Sequence, residues 1–185
     1  MRCGPSSRGG PGRAPLRGTG WRFVRSGAKR VYSCFGGLML FGKRKRIVKR
    51  ILIVEDEPLT AFENENMLGD CGYEIVATID DFERALEVIE SEVVDLILSD
   101  VRLRSQQTGI DLARAAKERG IPTLFATGHP YPGATEVAVG CLLKPYTDLQ
   151  LKSAIECVDK HLQRKSVRPS KGLELFPHAD EQSSG

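Results

Sequence analysis

The side chains of this chain that could do chemistry stand at or directly after the ends of short apolar runs. They are three neighbouring acids, Glu55, Asp56 and Glu57, a further acid, Asp100, a hydroxyl, Thr127, and an amine, Lys144. If the apolar runs are parallel strands, their carboxyl ends meet at one edge of a sheet and these side chains lie together. Carboxylates crowded in this way repel one another, which raises a pKa or requires a cation between them. The pattern therefore predicts a metal site built from acids, with an amine and a hydroxyl beside it.

Such a set of groups suits a bound phosphoryl group. Mg²⁺ prefers a few carboxylate oxygens and completes its shell with water and phosphate oxygens. With Mg²⁺ on one oxygen, Lys144 on a second and Thr127 donating to a third, the charge of a phosphoryl group on Asp100 would be neutralised. An acidic pair after a strand is often only the solvated start of a helix, but the strand ends taken together favour a phosphoacceptor site.

No familiar phosphate-binding loop competes with this interpretation. The chain contains no G-x-x-x-x-G-K-[ST] sequence, and no G-x-G-x-x-G follows its first apolar run. Both patterns supply glycine-rich loops whose backbone amides hold phosphates. Any phosphoryl chemistry is therefore expected at the acidic cluster.

The apolar runs predict strands. They are rich in Val, Ile and Leu, as buried parallel strands are, and they occupy residues 51–54, 73–79, 93–99, 121–127 and 137–143. The segments between and after them show helical spacing, clearest in the last stripe, Leu151, Ala154, Ile155, Val158 and Leu162. Strands that alternate with helices predict a parallel sheet covered on both faces. The predicted fold is a doubly wound, five-stranded parallel α/β domain over residues 48–164.

The connection after Thr127 is too short for an ordinary helix. Residues 128–136 contain Pro130, Pro132 and Gly133, and these residue types oppose helix formation at such positions. At most one turn is expected there. The fourth helix of the fold is therefore predicted to be shortened or missing.

The two ends of the chain are predicted to lie outside the domain. Residues 1–50 contain 14 of the 27 Lys and Arg and none of the 24 Asp and Glu. Residues 1–38 carry repeated Gly, Pro, Ser and Arg without apolar periodicity, so we expect a disordered basic extension over residues 1–47. Met39 is the hypothesised natural start. Residues 165–185 are polar and Ser-rich, and they are expected to form a flexible tail.

The cysteines and one apolar stretch favour a cytoplasmic protein. The five cysteines include no Cys-x-x-Cys pair, which favours buried thiols in a reducing compartment over a disulfide framework or zinc ligands. The apolar stretch at 31–41 is too short to span a membrane and lies too far from the terminus for a secretory signal. We therefore expect no membrane insertion.

The order of an acidic pair, an Asp, a Thr and a Lys-Pro pair resembles the receiver domain of bacterial two-component response regulators. The resemblance covers roughly residues 48–164. It implies that Asp100 is the phosphoacceptor, Asp56 a direct Mg²⁺ ligand and Glu55 a ligand through water. The backbone carbonyl of Arg102 is implied to be a further ligand, whereas Glu57 is assigned to the start of a helix.

The same resemblance assigns the remaining site residues and the partners. Thr127 and Lys144 are implied to contact the phosphoryl oxygens, and the bond from Lys144 to Pro145 is expected to be cis. The implied donor is a sensor histidine kinase or a phosphotransfer protein. The domain is implied to be a phosphoacceptor with at most self-phosphorylation and self-dephosphorylation, rather than an enzyme.

Departures from the usual receiver pattern indicate a subgroup. Most receivers carry an aromatic switch residue three positions before the lysine, where this chain has Cys141. The sequence FATGHPY at 125–131 resembles the signature of the stand-alone FATGUY receivers of alphaproteobacteria, although His129 and Pro130 replace the hydrophobic-Tyr pair. This resemblance implies a single-domain response regulator with a role in general stress signalling.

The switch of such a protein is expected at Thr127, Gly128, His129 and Cys141. Phosphorylation would draw Thr127 inward and order the mobile loop 128–136, which replaces a rigid helix. The usual relay from threonine to an aromatic residue cannot operate with Cys141. Because the residues after the last predicted helix suit neither a DNA-binding nor a catalytic domain, we expect output through protein contact.

The sequence is also compatible with three other classes of protein. One is a phosphate-independent adaptor. Another is a nucleic-acid-binding protein that uses the basic residues 43–50, although such residues before a first strand usually form a solvated lead-in; steep salt dependence of duplex binding would favour this class. The third is a flavin-binding protein of the same topology, but carboxylates after its first strand would repel a flavin phosphate.

Overall fold

The computed structural model describes residues 45–103, 108–129 and 131–177, in which strands and helices alternate. The strands are β1 (Arg50–Val54), β2 (Glu74–Ile79), β3 (Leu96–Ser99), β4 (Thr123–Thr127), β5 (Gly140–Leu143) and β6 (Leu173–Leu175). The helices are α1 (Pro58–Asp70), α2 (Phe82–Ser91), α3 (Gly109–Glu118), α4 (Ala134–Val137) and α5 (Asp148–Leu162). Within the described residues, the strands form one sheet in the order β2-β1-β3-β4-β5-β6.

The first five strands are parallel, and helices cover both faces of the sheet they form. Side chains alternate between the faces because successive residues of a strand point in opposite directions. Ile51 and Ile53 of β1 pack in the core that contains residues of α1 and α5, whereas Leu52 and Val54 pack in the core that contains residues of α2 and α3. The predicted doubly wound α/β fold is confirmed.

The sixth strand corrects one part of the predicted flexible tail over residues 165–185, whose residues 178–185 lie outside the described part of the chain. Leu173–Leu175 pair antiparallel with β5, so the sheet has one strand more than the sequence predicted. Phe176, the next residue, is only 5% exposed. It packs in a third apolar cluster with Phe125 and Ala134. The tail orders because it covers apolar surface on β4, β5 and the short α4.

The fourth helix is a single turn, as predicted from the prolines and glycine of this connection. It spans Ala134–Val137, and Gly133 precedes it with φ +84°, a backbone conformation that favours glycine. The expected involvement of Pro130 lies outside the described residues. A short α4 leaves β5 with little helical cover on this side, which is where Phe176 packs.

The start of the domain differs slightly from the predicted boundary. Asp159 of α5 is buried, and its Oδ1 accepts hydrogen bonds from the backbone amides of Ile47 (2.8 Å) and Val48 (2.9 Å). The guanidinium of Arg46 lies 4.9 Å from the centre of the Tyr73 ring, within cation–π distance. Ordered contacts therefore begin before residue 48. The predictions for residues 1–44, including Met39, lie outside the described residues.

No helix in the described part of the chain is long and apolar enough to cross a membrane. The three described cysteines are free thiols. Cys157 is buried as predicted, but Cys71 and Cys141 are only half-buried. Cys3 and Cys34 lie outside the described residues.

Candidate functional site

Parallel pairing brings the predicted site residues to one edge of the sheet. Val54 at the end of β1 pairs with Ser99 at the end of β3. Thr127 at the end of β4 pairs with Leu143 at the end of β5. The residues that follow these ends therefore lie at a common carboxyl edge, where ligands of doubly wound sheets bind.

Three carboxylates form a cluster at this edge. Glu55, Asp56 and Asp100 each offer an oxygen, and the three oxygens lie within 4.8 Å of one another. Glu55 is the most buried, with 3% of its side chain exposed, against 17% for Asp100. Burial raises the pKa of Glu55, and its hydrogen bond to Lys144 offsets this only in part. The cluster is therefore a place where negative charge is costly without a cation.

Lys144 supplies positive charge to two of these acids. Its Nζ donates to Oε2 of Glu55 at 2.6 Å and to Oδ2 of Asp100 at 2.8 Å. Burial lowers the pKa of the ammonium, but the hydrogen bonds and charges of Asp100 and Glu55 outweigh burial, so the net pKa lies above its ordinary value. Lys144 therefore stays protonated at neutral pH while it bridges the two carboxylates.

The main chain around Asp100 is held firmly. Its backbone amide donates to the carbonyl oxygen of Val54 at 2.9 Å, and its own carbonyl accepts the Ser99 hydroxyl at 2.7 Å. The backbone amide of Arg102 donates to Oδ1 of Asp100 at 3.1 Å. A Cβ added to Gly109 would lie 2.1 Å from the carbonyl oxygen of Asp100. Only a glycine allows the start of α3 to approach so closely.

Thr127 ends β4 with a buried side chain. Its backbone carbonyl accepts the amide of Lys144 at 2.8 Å, which links the two residues across the strand ends. Gly128 and His129 are exposed beyond it.

Cys141 is half-buried on β5. Burial, and after it the charges of Glu174 and Asp100, raise the pKa of its thiol to about 11. The thiol is therefore protonated at neutral pH.

The residues after Lys144 connect the site to α1 and α5. The Lys144–Pro145 peptide bond is cis. The hydroxyl of Tyr146 and the amide side chain of Asn64 lie within hydrogen-bond distance, at 3.1 Å for the contact donated by Asn64. Thr147 and Gln150 then form a capping box that starts α5. These contacts fix the strand end that carries Lys144.

Glu57 lies apart from the acidic cluster. It occupies the N-cap position of α1 and is exposed, although its side chain makes no capping hydrogen bond. Its backbone amide donates to Oε1 of Glu55 at 3.3 Å. This position agrees with the predicted assignment of Glu57 to the start of a helix.

The acidic cluster fits a hard divalent cation. Carboxylate oxygens from two strand ends converge there, and Mg²⁺ selects such ligands. The acids, Thr127 and Lys144 could be found in the sequence because each lies at or directly after the end of an apolar run. Ser99, Gly109 and the pair Asn64 and Tyr146 could not be found in this way. Gly109 lacks a distinctive local pattern, since its role depends on a close approach to Asp100.

Comparisons with known proteins agree on one protein family for this chain. A family model described as the response regulator receiver domain matches residues 51–156. The chain is 34% identical over 116 residues to the transcriptional regulatory protein PdtaR of Mycobacterium tuberculosis, which covers 60% of this chain and 56% of that protein. It is 32% identical over 116 residues to the chemotaxis protein CheY of Pseudomonas aeruginosa, which covers 58% and 93% of the two chains.

A solved structure agrees with these relatives. It is the receiver domain of a sensor histidine kinase from Pseudomonas aeruginosa with a magnesium ion coordinated in its active site cleft. The TM-score is 0.52 at 26% identity, and the match covers 59% of this chain and 95% of that one. This chain spans about half the length of PdtaR. The fold, the acidic site and the matched family together show that this chain belongs to the response regulator receiver domain family.

Proposed function

We propose that this protein is a response regulator that accepts a phosphoryl group on Asp100 in a Mg²⁺-dependent reaction. The observation that carries the proposal is the ammonium of Lys144 hydrogen-bonded to both Glu55 and Asp100, in a cluster completed by Asp56. The donor is a sensor histidine kinase or a phosphotransfer protein. The protein is a phosphoacceptor rather than an enzyme that turns over a separate substrate.

The acids of the cluster have two roles, which are metal binding and acceptance of the phosphoryl group. Asp56 and Asp100 would bind Mg²⁺ directly and Glu55 through water, with the backbone carbonyl of Arg102 as a further ligand. The bound ion would neutralise negative charge on the phosphoryl oxygens. A carboxylate oxygen of Asp100 forms the new bond to phosphorus as the bond from phosphorus to the donor's histidine nitrogen breaks, and that nitrogen keeps the electron pair.

Lys144 and Thr127 receive the transferred group. Lys144 already contacts the Asp100 carboxylate, and its raised pKa keeps the ammonium charged. The ammonium moves from the carboxylate to a phosphoryl oxygen, and the Thr127 hydroxyl donates to another. Positioned charges and donors of this kind stabilise phosphoryl transfer without further covalent chemistry.

The loop after Thr127 reports the phosphoryl group. The inward movement of Thr127 selects one arrangement of the segment 128–136, which includes Gly128, His129 and the start of α4. Cys141 does not act as an aromatic relay. The FATG sequence at 125–128 supports a protein of the FATGUY type, acting through protein contacts in general stress signalling.

The intact mass of the full chain after incubation with acetyl phosphate tests the proposal. A gain of about 80 Da is expected with Mg²⁺ and not without it. Asp100→Asn should abolish the gain. Asp80→Asn is the matched control, because Asp80 also follows a strand of this sheet but is exposed and should leave the gain intact. Absence of a gain with acetyl phosphate and with a phosphorylated phosphotransfer protein would overturn the proposal.

A further inference from the structure

The C-terminal strand β6 lies outside the residues that match the receiver family model, which end at 156. It is attached to the edge of β5 by backbone hydrogen bonds. The amide of Leu143 donates to the carbonyl of Gly172 at 2.8 Å, and the amide of Phe176 donates to the carbonyl of Val139 at 3.0 Å. This attachment is therefore a feature of this chain beyond the matched domain.

A cleft is shared by β6 and by Thr127 at the end of β4. It has a volume of about 370 Å³, and its walls include Thr127, Phe125, Cys141, Leu143 and Phe176. Thr127 is the site residue that contributes to this cleft, and Phe176 is the large aromatic side chain that the C-terminal segment brings to it. The cleft is therefore bounded by Thr127 of the site and by Phe176 of the C-terminal segment.

The backbone also joins the two regions. Thr127 pairs with Leu143 in the β4–β5 ladder, and the amide of Leu143 is the group that binds Gly172. Lys144 follows Leu143 directly and contacts Asp100. A change at the strand ends of β4 and β5 therefore reaches β6 through a single layer of hydrogen bonds.

We propose that docking of residues 171–177 on β5 is coupled to phosphorylation of Asp100, with Phe176 as the aromatic side chain that responds to Thr127. This inference rests on the proposed function. When the Thr127 side chain turns towards a phosphoryl group, it draws back from the cleft that it shares with Phe176, and Phe176 packs into the vacated space. Because unfilled apolar space is unfavourable in a protein interior, phosphorylation favours the docked strand.

The short length of β6 makes it suited to such a response. It has three residues, and short edge strands open locally more easily than central ones. Gly140 is the position at which docking can be tested selectively. A Cβ added there would lie 2.5 Å from the carbonyl oxygen of Glu174. An alanine at this position therefore pushes β6 away from β5.

Hydrogen exchange of the full chain measures the docking directly. The reporters are the amides of Phe176 and Leu143, compared with and without Mg²⁺ and beryllium fluoride, an analogue of the phosphoryl group. We expect exchange of both amides to slow by about threefold or more on addition of the analogue. Unchanged or faster exchange of these amides overturns the inference.

Coupling must also act in the reverse direction, because linkage between two sites is reciprocal. Gly140→Ala and Phe176→Ala should each weaken the apparent affinity for beryllium fluoride, and by a factor similar to the change in exchange. Gly69→Ala is the matched control, since a Cβ at this helical glycine meets nothing within 4 Å, and its affinity should equal that of the unaltered chain. Equal affinity in Gly140→Ala overturns the inference.

The two proposals fail in different ways. Loss of the Mg²⁺-dependent mass gain at Asp100 overturns the proposed function. A normal mass gain with no change at Phe176 or Leu143 overturns only the coupling of β6. Circular dichroism of the Phe176→Ala and Gly140→Ala variants separates loss of docking from loss of the fold.

Discussion

Nζ of Lys144 lies 2.8 Å from Oδ2 of Asp100, and the same ammonium lies 2.6 Å from Oε2 of Glu55. One positive charge therefore compensates two crowded carboxylates that come from different strands. It also places a cation beside the carboxylate that is the proposed phosphoacceptor. Removal of this ammonium should affect phosphorylation more than folding.

Lys144→Met should slow phosphorylation of Asp100 by acetyl phosphate by about tenfold or more, because the phosphoryl oxygens lose a charged donor. The time course of the mass gain measures the rate. Lys49→Met is a suitable control, since the Lys49 side chain is exposed at the start of the domain. An unchanged rate in Lys144→Met would exclude the assigned role of the ammonium.

Gly109→Ala should disturb both stability and phosphorylation. The added Cβ meets the backbone carbonyl of Asp100, which cannot move without shifting β3, so we expect a loss of about 2 kcal/mol in the free energy of unfolding and slower phosphorylation. Urea denaturation and the mass time course measure the two effects. Gly69→Ala, which has open space around its Cβ, should show neither loss. Unaltered stability and rate in Gly109→Ala would contradict the described close approach.

The carboxylate of Asp95 should make the free energy of unfolding depend on pH. Its Oδ2 accepts the backbone amides of Lys49 (3.0 Å) and Arg50 (2.8 Å), and its Oδ1 lies 3.0 Å from Nη2 of Arg50. Burial raises the pKa of Asp95, but the hydrogen bonds and charge of Arg50, with the Lys49 amide, outweigh burial and hold it below its ordinary value of 3.8.

Because the folded-state pKa of Asp95 is depressed, its contribution to stability is present above the unfolded-state pKa and is lost as pH falls through the folded-state pKa. Asp95→Asn should therefore be less stable than the unaltered chain at pH 7, and the difference should shrink below about pH 3.8. Denaturation across this range measures it. Asp70→Asn, an exposed acid, is the control. A difference that is constant with pH would rule out this source of stability.

Asp159 should stabilise the junction between the start of the domain and α5. Asp159→Ala leaves the amides of Ile47 and Val48 without their acceptor, at an expected cost of about 2 kcal/mol. Asp159→Asn keeps an oxygen acceptor and should lose less. Urea denaturation compares the variants. Equal losses of stability in Asp159→Ala and Asp159→Asn would show that the charge of Asp159, rather than its hydrogen bonds, stabilises this junction.

The sequence was sufficient to place the site residues that lie at or directly after the ends of strongly apolar strands. Asp100 and Thr127 could be placed because each ends a run of buried residues, and parallel strands bring such ends to one edge. The one-turn α4 could be predicted because Pro132 and Gly133 act locally on the backbone. These inferences depend on neighbouring residues in the chain.

Features that depend on distant contacts could not be predicted in the same way. β6 has only three residues, with Glu174 between Leu173 and Leu175, and so short an alternating pattern is common in loops. Its order depends on Phe176 covering the apolar surface beside the short α4. The prediction of a flexible tail was wrong for residues 173–176, because the polar composition of the segment does not show the uncovered apolar surface elsewhere in the domain.

The position of β6 also has a consequence for association between copies of the chain. Without it, the amides and carbonyls of β5 would form an open sheet edge, which is a template for pairing with strands of other molecules. β6 is short, Glu174 is exposed on it, and Pro177 follows two residues after its end. Short strands, charges and prolines at an edge all oppose further strand addition. The C-terminal segment thus protects the β5 edge of the sheet against pairing with strands of other copies.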